Sequence, residues 1–142
     1  MASVVDGWVL IADGDPGFAR VLQILLEEEG GCEARTAGSA REIIELLAAQ
    51  GLPLAAICEL EMTASGGHSV VSQLRRFRPE LPLIATTAHP SAASQQRARD
   101  LGVRAYLSKP IDPVELLGIL GDTLTANRCP ARGAPSPPAP PG

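Results

Sequence analysis

Residues 57–63 read ICELEMT, where a short apolar run ends in the carboxylate of Glu59 and a second carboxylate, Glu61, follows two residues later. The full run, PLAAIC at residues 53–58, contains no charged side chain. A strand that is covered on both faces of a parallel sheet is typically continuous in this way. The sequence therefore predicts a buried strand with Glu59 at its carboxyl end.

The chain on either side of this run alternates between strand-like and helix-like hydrophobic patterns. The stretches predicted to be strands are residues 8–12, 32–37, 53–58, 81–85 and 103–107. Four of the segments that follow them repeat apolar residues at helical spacing, and residues 91–101 form a more polar helix. The side chains expected on the buried helical faces are Phe18, Val21, Leu22, Leu25, Leu26, Ile43, Ile44, Leu47, Val70, Val71, Leu74, Phe77, Leu116, Leu117, Leu120 and Leu124.

Residues with strong positional preferences mark several helix ends. Pro16 suits the first turn of a helix, because it lacks the backbone N–H that a first turn leaves unpaired. Ser39, with Glu42 three residues later, forms the pattern of a capping box. Asp112 followed by Pro113 predicts the start of the last helix. These signals divide the chain into five strand–helix units.

Five strands that alternate with five helices predict an α/β protein of the flavodoxin-like (βα)5 type, with one doubly wound parallel sheet. Right-handed crossovers and short connections leave few topologies, and the strand order 2-1-3-4-5 is expected. In that order the topological switch lies between the first and third strands, and ligands bind at the carboxyl ends of the strands there. We assign this fold to residues 1–126.

The last 16 residues have a different composition from the rest of the chain. Residues 127–142 read NRCPARGAPSPPAPPG and contain six prolines and two glycines. Such a segment cannot bury much apolar area or form a ladder of hydrogen bonds, so we expect a disordered tail. The alternative is a proline-rich ligand for an aromatic groove on another protein.

Composition argues against several classes of protein. The net charge of −4 argues against a sequence-independent nucleic-acid binder, which needs a basic face. No apolar run reaches the roughly 18 residues of a membrane span, and the N-terminus lacks the basic start of a signal peptide. Cys32, Cys58 and Cys129 are too widely spaced to suggest a disulfide framework or a metal cluster. We therefore expect a cytoplasmic protein, in which Cys58 is a small buried apolar residue.

Polar residues follow the predicted strands at the edge where a doubly wound sheet binds its ligands. They are Asp13 and Asp15 after the first strand, Glu59 after the third, Thr86 and Thr87 after the fourth, and Ser108 and Lys109 after the fifth. Carboxylates, hydroxyls and one ammonium are thus expected in one crevice. Such a set suits a divalent metal, a phosphoryl group or a salt-bridged cluster, and the residues alone leave these three open.

This arrangement resembles the receiver domain of two-component response regulators, over residues 7–125. The first strand of that family ends in an acidic pair, and here VLIADGDP places Asp13 at the first acid and Gly14 at the second. Asp15 matches an acid that usually follows the pair. The third strand of the family ends in the aspartate that accepts phosphate, and here ELEMTASGG places Glu59 there. The resemblance therefore implies an acid pocket with a changed acceptor.

The resemblance also assigns roles after the fourth and fifth strands. Thr87 matches the family's switch hydroxyl, Tyr106 its switch aromatic, and Lys109 the pocket lysine of a lysine–proline pair. The bond between that pair is typically cis in the family, so a cis Lys109–Pro110 bond is expected. The partners implied are a histidine kinase or a downstream effector, and a homodimer through the face of the fourth helix, fifth strand and fifth helix.

Two departures from the family pattern change the expected chemistry. Working receivers use Mg²⁺, which demands near-octahedral oxygen ligands. Gly14 removes one such ligand, and Glu59 carries its carboxylate one methylene further than aspartate would. We therefore expect no catalytic residue and no resident cofactor, with any weak Mg²⁺ held by Asp13, Glu59 and Glu61. Glu59 is instead expected to reach toward Lys109 and Thr87, in partial imitation of a phosphorylated aspartate.

These observations predict a stand-alone pseudo-receiver that signals by protein contact and is not an enzyme. The first alternative is an active phosphorelay receiver that accepts a phosphoryl group from a histidine kinase. The second is a small-molecule binder on the same fold, although no G-x-G-x-x-G loop follows the first strand. Individual residues have simpler alternatives: helix capping for Asp13 and Asp15, packing for Tyr106, and solvent exposure for Glu61, His68 and His89.

Overall fold

The computed structural model of the protein describes residues 7–128, with side chains described for residues 7–125. Its strands are β1 (Trp8–Ala12), β2 (Glu33–Ala37), β3 (Ala55–Glu59), β4 (Leu83–Thr87) and β5 (Ala105–Ser108). Its helices are α1 (Pro16–Glu28), α2 (Ala40–Gln50), α3 (Val70–Phe77), α4 (Ala92–Asp100) and α5 (Pro113–Arg128), with one 3₁₀ turn at Ser65–Gly67.

The last helix, α5, runs two residues past residue 126, where we expected the folded domain to end. The rest of the predicted disordered tail, with Cys129, lies outside the described residues. None of the helices in residues 7–128 is long and apolar enough to cross a bilayer.

The five strands form one parallel sheet in the order β2-β1-β3-β4-β5, which confirms the predicted topology. Its register decides which residues meet at the carboxyl edge. Ala12 pairs with Cys58, so the residues that follow them, Asp13 and Glu59, lie side by side at the carboxyl edge of the sheet. Thr87 pairs with Ser108 one step further along β4. The register therefore brings these strand ends to a single edge.

Helices cover both faces of the sheet because successive strand residues point in opposite directions. Leu10 of β1 belongs to the core beneath α2, α3 and α4, where Val71 is also fully buried. Its neighbours Val9 and Ile11 belong to the other core, beneath α1 and α5, with Leu116. Each buried side chain of this size contributes about 1.5–3 kcal/mol relative to an exposed one. The two cores hold the sheet rigid and leave its carboxyl edge open.

The strand bounds differ from the predicted ones in a consistent direction. β3 and β4 both begin two residues later than expected and extend further at their carboxyl ends, to Glu59 and Thr87. Pro53 and Pro82 explain the late starts, because proline has no N–H to donate to a ladder. Thr87 continues the ladder because its partner strand, β5, also extends one residue past the predicted end. Glu59 and Thr87 are therefore parts of the rigid sheet.

The predicted capping box is only half correct. The Ser39 hydroxyl accepts a hydrogen bond from the backbone N–H of Glu42 at 3.2 Å, as expected. The Glu42 carboxylate, however, accepts from the N–H of Gly38 at 2.7 Å and not from that of Ser39. Glutamate is long enough to reach one residue further back, so the carboxylate caps the loop before the helix. The predicted cap at Asp112 is confirmed, since its carboxylate accepts from Val114 N–H at 2.9 Å.

Three side chains that we expected in the buried faces are exposed. Val21, Ile44 and Phe77 have exposed fractions of 63%, 66% and 60%. Val21 and Ile44 each adjoin a buried neighbour, Leu22 or Ile43. One residue along a helix turns the side chain by about 100°, so each of these helices presents only a narrow stripe to the sheet. Phe77 is the last residue of α3 and lies at the margin of its buried stripe.

Two isoleucines provide a matched test of this corrected burial. Ile57 in β3 is 1% exposed, whereas Ile44 in α2 is 66% exposed. We expect Ile57→Ala to lower the free energy of unfolding by about 2–5 kcal/mol, because it leaves a cavity in the core. Ile44→Ala should change it by about 0.5 kcal/mol or less. Urea unfolding followed by circular dichroism measures both, and equal losses would contradict the described packing of α2.

Candidate functional site

Lys109 lies at the centre of the polar cluster on the carboxyl edge of the sheet. Its ammonium is 2.7 Å from Asp13 Oδ2 and 3.4 Å from Glu59 Oε2. It also lies 4.3 Å from the centroid of the Phe18 ring, a distance at which a cation is attracted to the face of an aromatic group. The Lys109–Pro110 bond is cis, as expected. The structure thus brings three of the predicted site residues together around one ammonium.

Asp13 is the buried member of this cluster, with 2% of its surface exposed. Its Oδ1 accepts a hydrogen bond from the backbone N–H of Asp15 at 2.8 Å. Its Oδ2 faces the Lys109 ammonium and accepts no backbone hydrogen bond among the described residues. A buried carboxylate without a partner is strongly unfavourable, and Lys109 supplies that partner to Asp13.

The protonation of Lys109 responds to these neighbours. Burial by itself would lower the pKa of Lys109, because it disfavours the charged form. The hydrogen bond and the negative charge of Asp13, followed by the charge of Glu59, outweigh that effect and raise the pKa above its usual value. The ammonium therefore stays charged throughout the physiological range.

Glu59 connects the end of β3 to the loop that follows β1. Its Oε1 accepts from the backbone N–H of Gly14 at 3.3 Å, and its Oε2 contacts Lys109 at 3.4 Å. Both distances are at the long end for hydrogen bonds, so each contact is individually weak. We expected Glu59 to reach Lys109 and Thr87; it reaches Lys109, but the expected contact with Thr87 is wrong. The extra methylene carries its carboxylate toward β1, away from β4.

Thr87 is fully buried, and its hydroxyl donates a hydrogen bond to Glu61 Oε2 at 2.6 Å. The same hydroxyl accepts from the backbone N–H of His89 at 2.9 Å. Glu61 is exposed, as expected, but its contact with Thr87 was missed. A turn after β3 explains it, since Leu60 N–H donates to Thr86 O and thereby carries the following residue over β4. The sequence signal available was only the position of Glu61 two residues after Glu59.

Asp15 has a structural role outside the ammonium cluster. Its Oδ1 accepts from the backbone N–H groups of Gly17 and Phe18, at 3.0 and 3.2 Å, and so caps α1. Of the two readings open for this residue, the structure favours helix capping. Asp13 differs, because it holds both the loop N–H of Asp15 and the ammonium of Lys109.

Tyr106 is half-buried on β5 and contacts the start of α4. Its hydroxyl forms a short hydrogen bond with the Ser94 hydroxyl and accepts one from the backbone N–H of Ser91 at 3.3 Å. Ser91 is the residue that caps α4. The predicted switch aromatic is therefore attached to the β4–α4 loop, residues 88–91, and lies apart from Lys109.

Cys58 precedes Glu59 and is buried in the core beneath α2, α3 and α4. Burial is the main reason that the pKa of its thiol is raised, and the charges of Glu59 and Asp13 raise it further. Its Sγ lies 3.7 Å from the backbone carbonyl of Glu59. Cys58 therefore remains a neutral thiol at the base of the cluster.

The carboxylate oxygens of this site point in different directions, whereas Mg²⁺ prefers close, near-octahedral oxygens. Asp13 and Glu59 direct oxygens at the Lys109 ammonium, and Glu61 turns away to Thr87. No three histidine, cysteine, aspartate or glutamate side chains in residues 7–125 are placed to hold a metal ion. Weak binding of Mg²⁺ by Asp13, Glu59 and Glu61 stays a prediction.

Comparison with known proteins links this geometry to a family. A family model described as the response regulator receiver domain matches residues 9–120. An uncharacterized 14.6 kDa protein of Leptolyngbya boryana is 32% identical over 114 residues, which cover 79% of this chain and 86% of that protein. The transcriptional regulatory protein GlrR of Escherichia coli is 31% identical, over 82% of this chain but 26% of its own length. The chain thus spans about a quarter of GlrR.

Solved structures share the fold. A CheY-like response regulator receiver domain protein from Methanospirillum hungatei superposes with a TM-score of 0.75 at 21% identity, covering 88% of this chain and 98% of that one. The chemotaxis protein CheY4 of Vibrio cholerae gives a TM-score of 0.71 at 23% identity, covering 83% and 98%. At these identities the likeness concerns the arrangement of strands and helices.

Replacement of Lys109 tests how strongly the fold depends on its ion pair with the buried Asp13. We expect Lys109→Met to lower the free energy of unfolding by about 3 kcal/mol, because it leaves a buried carboxylate unpaired. The double variant Asp13→Asn with Lys109→Met should recover part of that loss, since the buried charge is gone. Urea unfolding of the two single variants and the double variant at neutral pH measures the coupling. Additive losses would contradict the ion pair.

The raised pKa of Lys109 predicts that its ion pair with Asp13 stops stabilising the folded state at alkaline pH. A group whose pKa is higher in the folded state stabilises it fully below the unfolded pKa, and that contribution disappears as the pH rises through the folded value. The difference in stability between wild type and Lys109→Met should therefore be constant to about pH 10 and shrink above it. Urea midpoints of both proteins across this range provide the measurement, and a constant difference at higher pH would argue against the pairing.

Proposed function

This chain belongs to the response regulator receiver domain family, and from that premise we propose that it is a pseudo-receiver, which signals by protein contact without being phosphorylated. Receiver domains are signalling modules of two-component systems, so the coarse function follows from membership. The finer proposal rests on one observation. The carboxylate at the acceptor position belongs to Glu59, and its two oxygens are already engaged by Gly14 N–H and Lys109.

A carboxylate in this position is a poor nucleophile for a phosphoryl group. Glu59 is one methylene longer than aspartate, and a misplacement of about 1 Å can reduce a rate by about a hundredfold. Gly14 provides no carboxylate to complete a metal site, so we propose that any binding of Mg²⁺ is weak. The proposal accordingly assigns no enzymatic step to the domain.

The charge balance of the cluster also supports this proposal. Asp13 and Glu59 share the single ammonium of Lys109, so the three groups together are already negative. Phosphorylation of the Glu59 carboxylate would replace its single negative charge with nearly two on the phosphoryl group, a net gain of about one. Without a bound divalent cation, that repulsion opposes its transfer to Glu59.

We propose a cytoplasmic protein whose partner is another protein, either a histidine kinase or a downstream effector. A homodimer through the α4–β5–α5 face is a second form of the same hypothesis. The exposed side of α4 is polar and includes Gln95, Gln96 and Arg99, which suits a hydrated, reversible contact.

The net charge of −4 favours no direct role in binding nucleic acid. GlrR extends far beyond the matched region, so its role as a transcriptional regulatory protein is not transferred.

An active phosphorelay receiver remains the second candidate because three groups of the pocket are present. Asp13 and Lys109 form a close ion pair, and Thr87 ends β4 at the same edge. This candidate predicts that Glu59 itself becomes modified, which makes the two hypotheses separable by one assay.

Incubation with acetyl phosphate and Mg²⁺ tests phosphorylation directly. We expect no phosphate on wild type, and the double variant Gly14→Asp with Glu59→Asp should acquire hydroxylamine-labile phosphate, because it restores a metal ligand and the shorter acceptor. Phosphate-affinity gels and intact-mass spectrometry measure the product, with Glu59→Gln as the control. Stoichiometric phosphate on wild type that is absent from Glu59→Gln would support the active receiver instead.

Position 14 can also be tested alone, with an isosteric pair of variants. Gly14 has no positive φ angle, and a Cβ atom there would lie 3.9 Å from Glu59 Oε1, so a side chain fits. We expect Gly14→Asp to lower the free energy of unfolding by about 1 kcal/mol more than Gly14→Asn, because a third carboxylate joins two others. Millimolar MgCl₂ should recover the difference for Gly14→Asp only. If MgCl₂ changes the urea unfolding of both variants equally, the missing carboxylate at position 14 does not explain the weak binding of Mg²⁺ that we propose.

A further inference from the structure

Two carboxylates lie at the end of β3, on Glu59 and on Glu61, and Glu61 forms the shorter hydrogen bond. The Thr87 hydroxyl is 2.6 Å from Glu61 Oε2, a distance typical of a hydroxyl that donates to a charged carboxylate. The two contacts of Glu59 are 3.3 and 3.4 Å long. The contact of Glu59 with Lys109 is also charge-assisted, so it is the shorter distance that marks the Glu61 bond as the stronger one. Glu61 therefore has more influence on Thr87 than the residue at the acceptor position has.

A hydroxyl has one proton to donate, and Thr87 gives it to Glu61. The oxygen of that hydroxyl then remains free to accept, and it accepts from His89 N–H at 2.9 Å. Because the hydroxyl proton points at Glu61, its lone pairs are directed away from Glu61 and toward the loop. Glu61 thus fixes the rotation of a group that is itself an anchor for the β4–α4 loop.

The β4–α4 loop has a second anchor at its other end. Ser91 N–H donates to the Tyr106 hydroxyl at 3.3 Å, and Ser94 Oγ contacts the same hydroxyl. Thr87 and Tyr106 therefore hold the two ends of one four-residue connection, at His89 and Ser91. Because this connection is short and held at both ends, we expect a change at the first anchor to affect the second.

From this arrangement we propose that Glu61 is a positioning residue that holds Thr87, and through it the β4–α4 loop and Tyr106, in one conformation without phosphate. The inference rests on the proposed function, because it assigns to an internal carboxylate a task that phosphorylation would otherwise perform at this site. Glu59 takes no part in it, since its carboxylate faces Gly14 and Lys109. The conformation of the loop is accordingly set from the carboxyl end of β4, where Glu61 is open to solvent.

Nuclear magnetic resonance of the unphosphorylated protein tests this proposal at two defined signals. One is the His89 amide, and the other is the ring of Tyr106, the only tyrosine in the chain. We expect Glu61→Ala to increase hydrogen exchange at the His89 amide by about tenfold and to shift the Tyr106 ring signals. Glu61→Gln, which keeps an acceptor oxygen, should restore most of the wild-type signals.

Two control variants separate positioning from a general effect on the fold. Glu59→Gln should alter the Gly14 amide and leave the His89 and Tyr106 signals unchanged. In a Thr87→Val background, Glu61→Ala should have no further effect on Tyr106, because the hydroxyl that connects them is missing. Thermal unfolding of Glu61→Ala should stay cooperative, with a midpoint lowered by the loss of one hydrogen bond to the buried Thr87 hydroxyl. Unchanged His89 and Tyr106 signals in Glu61→Ala, or equal changes in Glu59→Gln, would overturn the proposal.

Acetyl phosphate and Mg²⁺ added to the same samples distinguish this inference from the proposed function. Unmoved His89 and Tyr106 signals in wild type, together with the Glu61→Ala effect, support both. If the reagent shifts these signals in wild type while Glu61→Ala still releases the loop, Glu61 keeps its positioning role and phosphorylation-independence fails. If neither the reagent nor Glu61→Ala moves the signals, the role of Glu61 is overturned and the proposed function stands.

Discussion

The ion pair between Asp13 and Lys109 is the contact on which the carboxyl edge of the sheet depends. Asp13 follows β1 and Lys109 follows β5, so β3 and β4 lie between their strands. At a strand spacing of about 4.8 Å, this pair spans roughly 14 Å of sheet. It therefore closes the edge across four strands. The buried Asp13 carboxylate requires this contact, because among residues 7–125 it is paired with no other cation.

The three carboxylates of the site divide their contacts among different parts of the chain. Asp13 and Glu59 face the ammonium between them, which orders the β1–α1 side. Glu61 faces Thr87, which orders the β4–α4 side. The two groups share no side-chain hydrogen bond, and the backbone N–H of Lys109 links them by donating to Thr87 O at 2.8 Å. The side chains of Glu59 and Thr87 thus have different hydrogen-bond partners, although they stand on neighbouring strands.

The sequence was sufficient for the fold and for the residues that converge on Lys109, because alternating strands and helices predict a doubly wound sheet whose usual strand order brings these strand ends to one edge. It was insufficient wherever a side chain had more than one acceptable direction. Glu59 was expected to reach Thr87, but the turn after β3 gives that contact to Glu61. Phe77 was expected in the core, yet its helix presents only a narrow stripe to the sheet. Such directions depend on packing between elements and are absent from local spacing.

The burial of Cys58 has a consequence for the chemical durability of the cluster. Peroxides and other oxidants attack the thiolate, and its formation here is opposed by burial and by the negative charges of Glu59 and Asp13. The sulfur therefore stays reduced when more exposed thiols are converted to sulfenic acid. Oxidation of Cys58 is therefore disfavoured, and at this position the contacts of Glu59 with Gly14 and Lys109 stay undisturbed.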